Sequence, residues 1–122
     1  MEIISLLELL VNGLLEAEEK FYSNPKDFYA FEKATKTTTD AVAAKFISTV
    51  LSSMNEQIYS CSYREGLYNA QRTDQRSLVS SVGDIAFDCT YYKRLSDEGG
   101  YVYLLEEMLG LCRHERFTEE AE

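Results

Sequence analysis

The sequence predicts an α+β fold: N-terminal helices, one of them long, followed by a three-stranded antiparallel β-meander and a short C-terminal helix. Three observations carry this. Before Gly66, apolar residues recur at steps of three and four. After it, the period falls to two. Gly83-Asp84 and Ser96–Gly100 then supply turn residues where strands must reverse. The chain has 122 residues, 45% of them apolar, which suits one core without disulfide staples. It reads as one domain: a helical part over 1–66, a sheet part over 67–111 and a tail over 112–122.

The first helix is predicted from about Glu2 to Lys20. Ile3, Leu7, Leu10, Leu14, Ala17 and Phe21 alternate steps of four and three and so share a face. Leu6, Leu9, Val11 and Leu15 widen it, and Gly13 allows another backbone to come close. A stripe this wide is either core or a self-association surface, for which Leu6, Leu10 and Leu14 are the candidates. Ser23-Asn24-Pro25 is a helix-start signal, with Asn24 as cap and Pro25 at the first helical position. A second helix is expected over 25–35, with Phe28 and Phe31 on its apolar side. Thr37-Thr38-Thr39-Asp40 interrupts the pattern and caps a third, longest helix over 40–64. Val42, Phe46, Val50, Met54, Ile58 and Cys61 form its stripe.

Residues 67–73 have weak strand character, and 76–82 and 84–94 read as a hairpin around Gly83-Asp84. That turn sets Val82 against Ile85, Ser80 against Phe87 and Leu78 against Cys89. Leu78, Val82, Ile85, Phe87, Cys89 and Tyr91 then form the buried face. Ser77, Ser81, Asp84, Asp88, Thr90 and Arg94 form the wet one. Tyr101-Val102-Tyr103 is the third strand. Leu104–Leu109 is a helix closed by Gly110. Thr118-Glu119-Glu120 resembles the start of another helix, as though the chain were cut there.

The formal charge of −9 argues against a free-standing nucleic-acid binder, which needs clustered Lys or Arg. Only residues 64–94 are locally basic, with five basic against four acidic groups. Three cysteines without paired spacing argue against a secreted disulfide framework. The apolar stretch over 3–15 contains Glu8 and is too short to span a bilayer. The expected setting is the cytoplasm, with no membrane partner.

Three blocks carry a family resemblance. The first is Arg72-x-Asp74-x-Arg76-Ser77-Leu78, leading into Gly83-Asp84-Ile85. The second is Phe87-x-x-Thr90-Tyr91-Tyr92-Lys93. The third is Tyr101-Val102-Tyr103-Leu104-Leu105-Glu106-Glu107-x-Leu109-Gly110-Leu111, followed by Arg116. Together they resemble the N-terminal region of the ISLre-type insertion-sequence transposases. The resemblance implies a larger protein whose ribonuclease-H-like domain, with an acidic metal-binding triad, lies downstream. No catalytic residue carries over. The region at hand is expected to support transposon-end DNA binding or transposase assembly. One departure is Cys89, preceded by Asp88, where members commonly have a basic residue; it removes positive charge from that strand.

Arg64, Arg72, Arg76, Tyr92, Lys93 and Arg94 are the candidate DNA contacts, on a β-ribbon that brings Arg76 near Tyr91 and Lys93. The bland counterpart is a solvated sheet face with arginine–carboxylate pairs to Asp74 and Asp88. Tyr91, Tyr92, Tyr101 and Tyr103 read as cross-strand packing pairs. Cys112-Arg113-His114 is too small a set for zinc. The acidic residues Asp97, Glu98, Glu106 and Glu107 read as solvated. No metal, cofactor or catalytic group is assigned. The partners expected are transposon-end DNA and a second copy of the chain through helix one.

Overall fold

The computed structural model describes residues 3–96 and 99–111. Its elements are α1 (Ile3–Ser23), α2 (Phe28–Ser60), α3 (Ser62–Glu65), β1 (Tyr68–Ser80), β2 (Gly83–Arg94), β3 (Tyr101–Tyr103) and α4 (Leu104–Leu109). Helices thus precede a three-stranded antiparallel sheet of order β1-β2-β3, with a short helix after it. The expected helix start at Thr118 and the Cys112-Arg113-His114 cluster lie outside the described residues, as do Asp97, Glu98 and Arg116.

The helical half differs from expectation at the threonine run. Residues 28–60 form one unbroken helix of 33 residues rather than two. The hydroxyls that favour a break are absorbed within the helix. Thr35 Oγ1 donates to the Phe31 carbonyl (2.9 Å), and Thr39 Oγ1 to those of Thr35 and Lys36. Asp40 is no cap; it pairs with Lys36 one turn back at 2.6 Å. The cap of α2 is Asp27, whose carboxylate accepts from the Ala30 N–H. Asn24 instead closes α1, its N–H reaching the Lys20 and Phe21 carbonyls. The far end also falls earlier than Arg64, because Cys61 turns extended with ψ of 123°.

α1 returns along the first half of α2. Ala17 is buried there, Phe21 stacks on Phe31 at 4.4 Å, and Gly13 lies against Thr38. A Cβ at Gly13 would clash with Thr38 Cγ2, so glycine is needed for this approach.

β1 is continuous through the weakly predicted 67–73 segment, with a bulge at Gln71 between Ala70 and Arg72. The hairpin register also differs. Ser80 faces Gly83 and Leu78 faces Ile85, so the loop is Ser81-Val82. Neither loop residue has positive φ, which rules out the primed turn expected of Gly-Asp; the positive φ (+116°) falls on Gly83 as β2 begins. Ser80 Oγ fastens the loop, donating to the Gly83 carbonyl and accepting from the Val82 N–H. Relative to Leu78, β2 is displaced by four residues, an even number. Leu78, Ile85, Phe87 and Cys89 therefore still share the buried face.

Those four residues pack with Leu105 of α4 and with Ala44, Ile47, Leu51, Met54 and Ile58 of α2. Thr90, expected on the wet face, is buried as well, and so is Tyr92, a candidate DNA contact. β3 reaches only residues 91–93 of β2. Below that span, α2 occupies the place of a neighbouring strand. Ser52 Oγ accepts from the Asp88 N–H (3.0 Å), and Asn55 Oδ1 accepts from the Thr90 N–H (2.9 Å). A helix thus covers what would otherwise be a bare strand edge. α4 ends as expected at Gly110, which adopts φ of +71°.

Candidate nucleic-acid interface

The six candidate contacts do not share one surface. Arg64 is turned inward. Its guanidinium donates twice to the Tyr59 carbonyl (3.2 and 2.8 Å) and once to that of Tyr68 (3.2 Å). It lies over the rings of Tyr59 and Tyr92 at 5.0 and 5.6 Å. It thereby satisfies a carbonyl in the last turn of α2 and seals the junction with β1. Arg76 faces the core side and forms a largely buried ion pair with Glu106 of α4. The register places Arg76 opposite Phe87, not beside Tyr91 and Lys93. Tyr92 is 0% exposed, so its ring is closed to a base, and burial raises its hydroxyl above the usual tyrosine range.

Arg72, Lys93 and Arg94 reach the surface, on two faces. Tyr91 pairs with Arg72 on one side and Tyr103 on the other, and Lys93 pairs with Asn69 and Tyr101. Strand alternation puts Arg72, Tyr91, Lys93, Tyr101 and Tyr103 on one face and Arg94 on the other. Arg94 approaches Glu107 at 3.9 Å.

The shared face is ordered by its own contacts. Tyr91 stacks on Tyr101 at 5.2 Å and 9° and tilts against Tyr103 at 4.7 Å. The Arg72 guanidinium lies 4.5 Å over the Tyr91 ring while its Nε donates to both Asp74 oxygens (3.1 and 3.0 Å). Tyr103 Oη donates to Asp74 Oδ2 at 2.7 Å. That hydroxyl, and then Arg72, holds the Asp74 carboxyl below its ordinary range. Burial and the neighbouring carboxylate raise Tyr103. Such a face offers an aromatic platform with Arg72 and Lys93 at its margin, able to stack on a planar group and meet a phosphate. The partly neutralised Arg72 weakens its pull on an anion.

Sequence reasoning anticipated tyrosine packing across neighbouring strands and an arginine partner for Asp74, but not which arginine, nor Tyr103 as the third member. It also missed an open groove of about 750 Å³ between α2 and the back of the sheet. Lys45, Ser48, Ser52 and Glu56 line one wall, and Thr73, Gln75 and Asp88 the other. The four-residue spacing of Ser48, Ser52 and Glu56 was its visible trace. Among the described residues no group of His, Cys, Asp or Glu is arranged to hold a metal. Cys61 is exposed; Cys89 is buried, and burial pushes its thiol up to about 11.

Leu6 and Leu10, the candidate self-association residues on α1, are half-buried, and Leu14 is exposed. No helix among the described residues is long and apolar enough to cross a membrane.

Residues 23–122 match the model of an uncharacterised protein family, UPF0236. The chain belongs to UPF0236. A UPF0236 protein of Caldanaerobacter subterraneus subsp. tengcongensis is 32% identical over 84 residues, covering 69% of this chain and 18% of that relative. A second UPF0236 protein of the same organism is 31% identical over 84 residues, again 69% of this chain and 18% of the relative. The matched stretch therefore spans under a fifth of these curated relatives. No solved structure matches the chain.

Proposed function

We propose that this UPF0236 chain is a non-catalytic N-terminal region of a transposase-like protein, serving transposon-end binding or transposase assembly. The observation that carries the reading is the multiplicity of the relatives. One related protein's name joins eleven locus designations of a single genome, and another's joins four. A protein recurring at many loci is what a self-copying element leaves behind. The three sequence blocks that resemble ISLre-type transposases lie within the matched region. No chemical step is assigned to the residues of this chain.

Within that reading, end binding falls to the Arg72–Tyr91–Lys93–Tyr101 face. The test is fluorescence anisotropy on a duplex carrying the element's terminal repeats, against a scrambled duplex, over a range of salt. Binding should be tighter to the repeats. Arg72→Ala and Lys93→Ala should each lower the salt slope by about one, the effect of losing one phosphate contact. Equal binding to both duplexes would remove end recognition. A protein-interaction role without DNA contact is favoured by a specific observation: Arg64, Arg76 and Tyr92 all spend their polar or aromatic groups inside the protein.

A further inference from the structure

The row of flat groups on the sheet stops at a half-exposed ring. Arg72 reaches Tyr91 from β1, 4.5 Å over its ring, and Tyr101 reaches it from β3, at 5.2 Å and 9°. One guanidinium and two phenols thus line up across the strands. β3 is the last strand of the sheet, so the row ends at Tyr101. Among the described residues Tyr91 is the ring partner of Tyr101, which stays 52% exposed. Directly across the strands from Tyr101 is Lys93. Lys93 is exposed and forms no ion pair among the described residues. The acid of this face, Asp74, is already committed to Arg72 Nε and Tyr103 Oη. Beside Tyr101 the uncompensated charge is therefore positive, on a chain whose formal charge is −9.

We infer that the open face of Tyr101 seats one unpaired nucleobase while Lys93 holds the adjoining phosphate, so that this surface takes single-stranded DNA in preference to duplex. A planar base continues the row, and stacking on an aromatic ring serves every base because each has a π-face. In a duplex the bases are already stacked on one another, and only a splayed base offers a free face to a side chain. Backbone contacts alone hold little here. Arg72 is shared with Asp74, and the acidic chain repels a dense line of phosphates. Stacking therefore tips the preference towards the strand whose bases are free. A covering protein surface matches the site less well. It would take Lys93 out of water and have to bring a carboxylate to it, whereas one nucleotide carries both the flat ring and the anion. The inference rests on end binding falling to this face, and it concerns strandedness, which is measured apart from sequence preference.

The test is anisotropy of the full 122-residue chain with a short labelled oligothymidylate, an abasic strand of the same length and a duplex of the same length. The oligothymidylate should bind tightest, and removing its bases should weaken binding about tenfold. Tyr101→Ala should weaken it by a similar factor with an unchanged far-UV circular dichroism spectrum, while Tyr101→Phe, which keeps the ring, should not. If the alanine variant loses structure, Tyr101→Leu, with apolar bulk but no flat ring, carries the same expectation. Lys93→Ala should lower the salt slope by about 0.7, one phosphate on a single strand. Abasic and base-bearing strands bound alike overturn the inference, as does a duplex bound as tightly as the strand or a folded Tyr101→Leu variant with wild-type affinity. An oligouridylate bound more tightly than the oligothymidylate overturns the assignment to DNA. A chain that prefers the terminal-repeat duplex to the single strand keeps end recognition and loses this inference. A chain that stacks single strands through Tyr101 with no regard for the repeats keeps the inference and loses end recognition.

Discussion

Replacing Asn55 with alanine should cost far more than replacing Ser52, although both side chains accept one N–H from β2. Asn55 is 5% exposed. Its Oδ1 takes the Thr90 N–H at 2.9 Å, and its Nδ2 donates to Thr90 Oγ1 at 3.0 Å, which in turn contacts Thr73 Oγ1 at 3.0 Å. Alanine deletes both bonds, each worth about 1 kcal/mol net, and leaves a buried N–H without a partner at a further 1–3 kcal/mol or so. The expected loss is roughly 3–5 kcal/mol. Ser52 bonds to Asp88, which is exposed, so water replaces the lost oxygen and the cost is about 0.5 kcal/mol. Urea denaturation followed by circular dichroism measures both, at one fixed protein concentration so that self-association does not enter the difference. The slope with denaturant should be unchanged and only the midpoint should move. Equal losses in the two variants would refute the argument that burial, rather than bond count, sets the cost. So would an Asn55→Ala variant within about 0.5 kcal/mol of wild type.

Gly13→Ala should destabilise the protein despite alanine's helix propensity, because the new Cβ clashes with Thr38 Cγ2. Adding Thr38→Ala should recover most of the loss, and a double-mutant cycle by thermal melting reads the coupling. Asp74 is held below its ordinary pKa by Tyr103 and Arg72, so its contribution to stability is complete above the unfolded value near 4 and disappears as pH falls through the folded one. Tyr103→Phe should move the Asp74 titration upward, measurable by side-chain NMR; an unmoved titration would show that the hydroxyl contact is not made in solution. Cys61 should react with a thiol reagent in the folded protein, whereas Cys89 should react only on unfolding, a contrast visible by mass spectrometry in a Cys112→Ser background.

Elements whose signal is local were legible in the sequence. Gly110 ends α4 with the positive φ that a C-terminal glycine supplies, and Tyr101–Tyr103 pairs as a third strand. The threonine run misled because its intrinsic preference is a few tenths of a kcal/mol per residue, less than what packing against α1 provides. Gly83 was recognised as a turn glycine but assigned the wrong place in the turn, since a positive φ can close a loop as well as open it. The site was less legible than the fold. Arg76 finds Glu106, thirty residues away in sequence, across a helix whose placement no periodicity conveys. Thr90 looks solvated on a period of two, because that pattern carries no information about Asn55, which reaches it from α2. The wide stripe of α1 was visible, but not which of its two edges α2 takes.

The unbroken course of α2 has a consequence for anything built on this chain. At a rise of about 1.5 Å per residue, its 33 residues make a rod of about 50 Å. Residues 31–38 hold α1 and residues 44–58 hold the sheet. A break at the threonines would have left the two attachments free to swivel. Without one, they keep a constant spacing and a constant angle. Whatever packs on α1 is then held at a set separation from the Arg72–Tyr91 face, like the jaws of a gauge. Inserting residues within α2 would change that gap by about 1.5 Å and rotate the faces by about 100° per residue. Partners would be selected by how far apart their binding sites lie, before any side chain is read.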